Sequence, residues 1–129
     1  AQMLLNRGEW KGTRILKPET IQTMLTPQLP MGLIRNDSGR RQLLGWWGMD
    51  DNASITNIGG LPSKTCYLHT GFTGTEIAID PEHKTAAILL TNSVHPKREN
   101  ANATAVRMAF YTNISKALIG EASVIIKTD

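Results

Sequence analysis

The chain has 129 residues, 40% of them hydrophobic and 19% charged, a balance that fits one globular unit and excludes disordered and fibrous classes. Net charge is +3, and the lysines and arginines are scattered apart from the Arg40-Arg41 and Lys97-Arg98 pairs. With no long basic face and no interleaved stacking aromatics, nucleic acid is excluded as a partner.

The opening run Ala1-Gln2-Met3-Leu4-Leu5 is already mid-pattern, without an initiator Met or a cap, and reads as the interior of a longer chain. Asn6-Arg7-Gly8 then signals a helix C-terminus. Gly8 to Leu16 is a turn-rich connector with a small hairpin expected around Lys11-Gly12. Pro18 suits the first position of a helix and Glu19 its first turn. Ile21, Met24 and Leu25 supply one apolar face, and Pro27 ends the helix because its ring disfavours a helical residue before it. Residues 27 to 41 form a loop rich in Pro, Gly, Asn and Asp.

Gln42 to Met49 reads as one strand with Leu43, Leu44, Trp46 and Trp47 as its bulk, followed by a turn at Asp50-Asp51-Asn52. Residues 53 to 64 are irregular and long enough for a functional loop. Thr65 to Thr70 is strand-like, Gly71-Phe72-Thr73-Gly74 breaks it, and Thr75 to Asp80 alternates with Ile77 and Ile79 on one face. Asp80-Pro81-Glu82-His83-Lys84 is a turn. Thr85 to Thr91 is nearly all apolar, as expected of a strand covered on both faces. The short turns between these three strands require an antiparallel sheet.

After Asn92 to Asn100 a long helix is expected, with Val106, Phe110, Ile114 and Leu118 recurring every four residues, Ala103 and Ala117 widening the stripe, and Gly120 closing it. The sheet just before it is the expected packing partner. No segment approaches the roughly 20 apolar residues needed to span a bilayer. Cys66 is the only cysteine, so neither an internal disulfide nor a cysteine-based metal knuckle can form.

The ordered series of strand, His69-Thr70-Gly71-Phe72-Thr73-Gly74-Thr75, strand, Asp80-Pro81 turn, apolar strand, Thr91-Asn92, His95-Pro96 and terminal helix resembles the C-terminal part of the class C β-lactamase-like and penicillin-binding-protein-like serine hydrolases. This group includes D-alanyl-D-alanine carboxypeptidases and β-lactamase-like esterases. The Pro18-Glu19-Thr20 helix and the Gly45-Trp46-Trp47 strand fit as well, so the resemblance covers nearly the whole chain.

Three motifs build the site in that superfamily: Ser-x-x-Lys, then Tyr-x-Asn or Ser-x-Asn, then Lys-Thr-Gly on a strand. The third maps to His69-Thr70-Gly71, with His in the Lys position. The resemblance assigns His69 and the backbone N–H of Phe72 to catalysis, the latter as an oxyanion donor, and Thr70 and Gly71 to substrate binding. A donor of this kind is worth roughly 2.7–4 kcal/mol in the transition state. At Gly71 a side chain would obstruct an acyl group lying along the strand. Lysine, with a pKa of about 10.4, is a standing cation, whereas an ordinary imidazole at about 6.5 is mostly neutral at pH 7.5. The exchange therefore favours an ester or peptide substrate over a β-lactam.

The nucleophile is missing from the sequence. None of Ser38, Ser54, Ser63, Ser93, Ser115 or Ser123 is followed three residues later by Lys. Tyr111-Thr112-Asn113 spells Tyr-x-Asn, but it follows His69 in the wrong order. The chain alone is expected to be inactive, completed by a missing N-terminal half of the same fold.

The remaining residues have plainer readings. His83 is expected to face solvent and His95 to shape the chain before Pro96. His69, His83 and His95 lack the close spacing of a metal site, and neither a metal nor a cofactor is implied. Cys66 stands at an odd strand separation from His69, which argues against a Cys–His pair, and reads as a buried apolar thiol. Trp46 and Trp47 point to opposite faces, one toward the core and the other toward the cleft. The sequons at Asn52, Asn102 and Asn113 read as chance matches, two of them on a helix.

The expected fold is α/β in the broad (α+β) sense, an antiparallel sheet flanked by helices, β-lactamase/transpeptidase-like and incomplete. Residues 1–41 would carry the end of the helical region and the connector, and 42–129 the sheet strands and terminal helix. The implied partners are a small-molecule or peptide substrate and the missing half, or a second copy through exposed apolar surface. Bacterial cytoplasm, periplasm and exterior all fit. The rival reading is a non-catalytic penicillin-binding-protein-like chain that binds peptides or assembles with partners. A third, a stand-alone binding module, requires cooperative unfolding of this chain alone.

Overall fold

The computed structural model describes residues 1–29, 40–49, 61–100 and 102–120. The expected turn at Asp50-Asp51-Asn52, most of the 27–41 and 53–64 loops, and the sequon at Asn52 lie outside these residues.

The N-terminal part follows its local signals. Helix α1 spans Gln2–Leu5 and ends where Arg7 and Gly8 adopt positive φ. Strands β1 (Glu9–Trp10) and β2 (Thr13–Arg14) form the small hairpin, turning through Lys11 and Gly12 at φ of 48° and 78°. These angles match the mirror-image turn that two-residue hairpins favour. Helix α2 spans Pro18–Met24 with Pro18 in its first turn and Ile21 buried.

A five-stranded antiparallel sheet carries the remainder, in the order β3 (Arg40–Gln42), β4 (Trp47–Met49), β5 (Tyr67–Thr70), β6 (Glu76–Asp80) and β7 (Thr85–Leu89). Every strand of this sheet pairs with its neighbour in sequence; short connections dictate this for β3–β4, β5–β6 and β6–β7, whereas residues 50–66 join β4 to β5. Helix α3 spans Ala103–Ile119; the Asn102 side chain accepts from the Ala105 N–H at its start, and Gly120 ends it at φ 83°.

The sheet is the middle layer. Register pairs Leu68 with Ala78 and Ala78 with Ala87, and this face joins Met49, Leu61, Cys66 and Tyr111 beneath α3. The alternate residues Tyr67, Ile79 and Ala86 meet Leu4, Ile21 and Leu43 on the other face. Leu68 and Ile79 are both fully buried, and each such side chain contributes roughly 1.5–3 kcal/mol. The exposed Arg14–Glu9 ion pair at 2.9 Å belongs to a class worth roughly 0.2–1 kcal/mol. The two apolar faces therefore hold the fold.

Several expectations need correction. Gln42 to Met49 is not one strand: β3 and β4 pair with each other, and the Leu43 N–H donates to the Trp46 carbonyl at 2.9 Å across the reversal. Gly45 makes this turn at φ 74°, a conformation costly for other residues. The apolar run of β7 is not covered on both faces. Ala86 packs in the second cluster, but Ile88 and Leu90 are 51% and 80% exposed. The inward seam of α3 is also displaced by one position. Tyr111 and Ser115 are buried, Phe110 and Ile114 partly so, while Val106 and Leu118 lie at the exposed margins. Tyr111 earns the inner position because its hydroxyl reaches the Ala87 carbonyl at 3.3 Å.

His83 does not simply face solvent. Its Nδ1 lies 2.8 Å from Oδ2 of Asp80, which is fully buried. Asp80 also accepts from the Ser63 hydroxyl at 2.6 Å and from the N–H groups of Ser63, Glu82 and His83. Burial alone would raise the pKa of this carboxyl, but the hydrogen bonds from Ser63 and His83 outweigh it and hold it below the ordinary 3.8. A carboxyl depressed on folding contributes stability that is complete above the ordinary value and lost as pH falls through the folded one. Asp80→Asn should therefore cost roughly 1–3 kcal/mol at neutral pH, the range for buried donors left unpaired. It should also flatten the acid limb of urea-denaturation stability; an unchanged limb would remove Asp80 from this role.

Cys66 is 1% exposed, and burial pushes its thiol up to about 12, with the charges of Asp80 and Glu76 adding to the rise. The native chain should resist iodoacetamide at pH 8 and react once unfolded. Rapid alkylation without denaturant would mean that the first cluster does not close.

Candidate active site

The His69–Thr75 segment leaves the end of β5, turns, and enters β6. His69 is exposed on β5, its ring stacked on Trp47 with centroids 4.6 Å apart and planes inclined by 29°. Its Nδ1 lies 2.9 Å from the Thr70 carbonyl oxygen. A carbonyl can only accept, so Nδ1 carries the proton, and in the neutral ring Nε2 holds the lone pair. The position thus offers an acceptor where a lysine would offer only donors.

The turn is tied at almost every carbonyl. The Gly71 N–H donates to the Thr75 oxygen at 2.7 Å, and the Gly74 N–H to the Gly71 oxygen at 3.1 Å. The Thr73 oxygen accepts from the Ser93 N–H at 2.8 Å and the Thr91 hydroxyl at 3.0 Å. Arg107, reaching in from α3, donates to the oxygens of Gly71 (2.8 Å), Gly74 (3.1 Å) and Thr75 (3.1 Å). Its Nε also lies 3.2 Å from a carboxylate oxygen of Glu76, whose side chain is fully buried. The Phe72 N–H, like those of Thr73 and Thr75, has no acceptor among the described residues.

Gly71 has a reason to be glycine that the sequence does not show: a Cβ there would collide with the Thr75 hydroxyl. The Phe72 side chain is 72% exposed, with the Arg98 guanidinium 5.0 Å from its ring centre. A groove of about 1230 Å³ between the N-terminal helices and the sheet includes none of the residues from His69 to Phe72. The chemistry of this segment therefore lies at the strand end and not in that groove.

The sequence pattern of the family described as Beta-lactamase matches residues 3–110. The chain belongs to the β-lactamase family. Relatives of this family in Escherichia coli O157:H7 and Escherichia coli K12 are 33% and 32% identical over 95 residues, which is 73% of this chain and 20% of each relative. A Salmonella newport relative is 32% identical over the same share. The names of all three mark them as provisional D-alanyl-D-alanine carboxypeptidases. The chain spans about a fifth of the length of the curated relatives it matches.

Within this β-lactamase-family chain, the structure brings His69, Thr70, Gly71 and Phe72 together through their continuity along β5 and its turn. His83 is bonded to Asp80, and no group of His, Cys, Asp and Glu among the described residues could hold a metal ion. Cys66 lies inside the first cluster, so no Cys–His pair forms with the exposed His69. Trp46 packs edge-on against Tyr67 at 5.2 Å in the second cluster, whereas Trp47 meets His69.

Two residues of this site escape a reading of the sequence. Trp47 shows as an aromatic on a strand, without indicating which ring it meets. Arg107 shows only as a polar interruption in a helix stripe, four residues before the buried Tyr111. That spacing is the one available signal, because residues four apart share a helix face.

The His69 geometry makes a direct prediction. In nitrogen-15 spectra of the imidazoles above pH 8, His69 should show Nδ1 protonated and Nε2 bare, with the signals assigned by His69→Gln. The opposite tautomer would break the Thr70 bond and the acceptor role built on it.

Proposed function

We propose that this chain supplies the substrate- and oxyanion-binding strand of a serine hydrolase working through an acyl-enzyme. The observation that carries this reading is the Phe72 N–H, which has no acceptor among the described residues. It sits directly after the His-Thr-Gly segment, in a turn whose Gly71, Thr73, Gly74 and Thr75 carbonyls are all hydrogen-bonded. A fixed donor of this type stabilises the charge that develops on a carbonyl oxygen under attack, and a preorganised turn does so without reorganising during the reaction. His69 would present Nε2 to the substrate or to a group moving a proton. Thr70 and Gly71 would line the acyl chain.

The attacking serine and its lysine would come from the part of the protein outside these residues. The short match to much longer relatives supports that arrangement, as do the half-exposed Ile88 on β7 and the exposed Leu90 just after it. The preferred substrates are esters or peptides, with peptides ending in D-alanine suggested by the names of the relatives. An Nε2 that accepts at His69 gives little hold on the carboxylate of a penicillin, which also only accepts.

Labelling with a serine-reactive fluorophosphonate tests the reading. Intact mass should show no adduct on this chain and a single adduct on the full-length protein at a serine followed three residues later by lysine. The unlabelled full-length protein should cleave chromogenic esters or peptides faster than penicillins, and labelling should abolish both activities. A folded full-length protein that takes no label would favour the non-catalytic alternative. An adduct within residues 1–129 would refute the division of labour.

A further inference from the structure

The guanidinium of Arg107 ties the turn after β5 to the terminal helix. It is only 14% exposed and lies on a helix more than 30 residues away in sequence, yet it spans the carbonyls of Gly71, Gly74 and Thr75. A planar fork of donors suits such a task, since one rigid group can serve several oxygens whose positions are then fixed relative to one another. The buried Glu76 carboxylate beside it compensates the charge, so the cation can remain at the base of the turn without the cost of an unpaired buried charge. Arg107 touches the oxygens on either side of Phe72 but not Phe72 itself.

We propose that Arg107 is a positioning residue for the oxyanion donor: it holds the Gly71–Thr75 turn in the one conformation that leaves the Phe72 N–H unspent at the end of β5. The terminal helix is then part of the active-site machinery and not only a cover for the sheet. This inference rests on the acyl-enzyme reading above. Without Arg107 the Gly74 carbonyl loses its donor and those of Gly71 and Thr75 keep one backbone donor each, so the turn can relax by rotating its peptides, carrying the Phe72 N–H away from its position. A shift of about 1 Å in such a group can cost about 10²-fold in rate. Substrate binding along Thr70 and Gly71 depends less on that N–H, so the effect should fall on kcat and not on KM.

The test uses the full-length protein with Arg107→Met, Arg107→Lys and Tyr111→Phe, each measured for ester turnover and for amide hydrogen exchange in peptides covering residues 68–76. Tyr111→Phe removes the neighbouring bond from α3 to Ala87 without touching the turn, and so reports what loosening the helix alone does. Arg107→Met should lower kcat by roughly 10- to 100-fold with KM changed less than about threefold, and should speed exchange in the 68–76 peptides. Arg107→Lys should recover part of kcat, because an ammonium serves fewer of the carbonyls. Tyr111→Phe should leave kcat within about twofold. If Arg107→Met leaves exchange unchanged, or loses activity only as Tyr111→Phe does, Arg107 is a structural staple and the inference fails. If the wild-type protein turns over no ester and takes no fluorophosphonate, the acyl-enzyme reading fails instead, and exchange alone decides whether Arg107 holds the turn.

Discussion

Asp80 ends β6 completely buried, and its carboxylate accepts from Ser63, from two amides of the following turn and from the ring of His83. A buried charge is tolerated only when its lone pairs are satisfied in this way, so the chain around Asp80 has little freedom. The segment entering β5 and the turn leading to β7 are tied to one point, which pins the register of β5, β6 and β7. Register matters here because both faces of the sheet are used. A slip of one residue would turn Leu68 and Ala78 away from α3 and drive Tyr67 and Ile79 into it.

From that register the site follows by continuity. With Tyr67 and Leu68 committed to opposite cores, the next two residues of β5 emerge where the sheet runs out of cover, and His69 is exposed as a consequence. Trp47, paired opposite Leu68 on β4, is then near enough to stack on the His69 ring. At the far end of the turn, Glu76 begins β6 buried and needs a cation. Arg107 supplies it and takes up three turn carbonyls at the same time. A charge buried for one purpose thus becomes the scaffold of the segment beside the candidate oxyanion donor.

The local order of elements was legible in the sequence because it rests on local chemistry. Pro18 at a helix start, the Lys11-Gly12 turn, the Asp80–Lys84 turn and the Gly120 stop each act within a few residues, and each appears where the pattern places it. The splitting of Gln42–Met49 was hidden by its apolar bulk, since Leu43 and Trp46 read the same way in a strand as beside a tight turn. The displaced seam of α3 had a related cause. Counting apolar residues favours Val106 and Leu118, but Tyr111 and Arg107 bury polar groups that find partners on the sheet, and only the fold supplies those partners.

The sequence by itself determined the family, through an ordered series of short motifs, and the identity of the candidate site residues from His69 to Phe72. It also determined the absence of a Ser-x-x-Lys nucleophile, since a motif of adjacent residues is complete or missing wherever the chain folds. What the tertiary structure decided is the state of those residues: which nitrogen of His69 is bare, what a side chain at Gly71 would meet, and that the Phe72 amide has no acceptor among the described residues. Each of these depends on groups far away in sequence or across a turn. Hydrogen bonds and close contacts are short-ranged in space, and only folding brings Trp47, Thr75 and Arg107 within their reach.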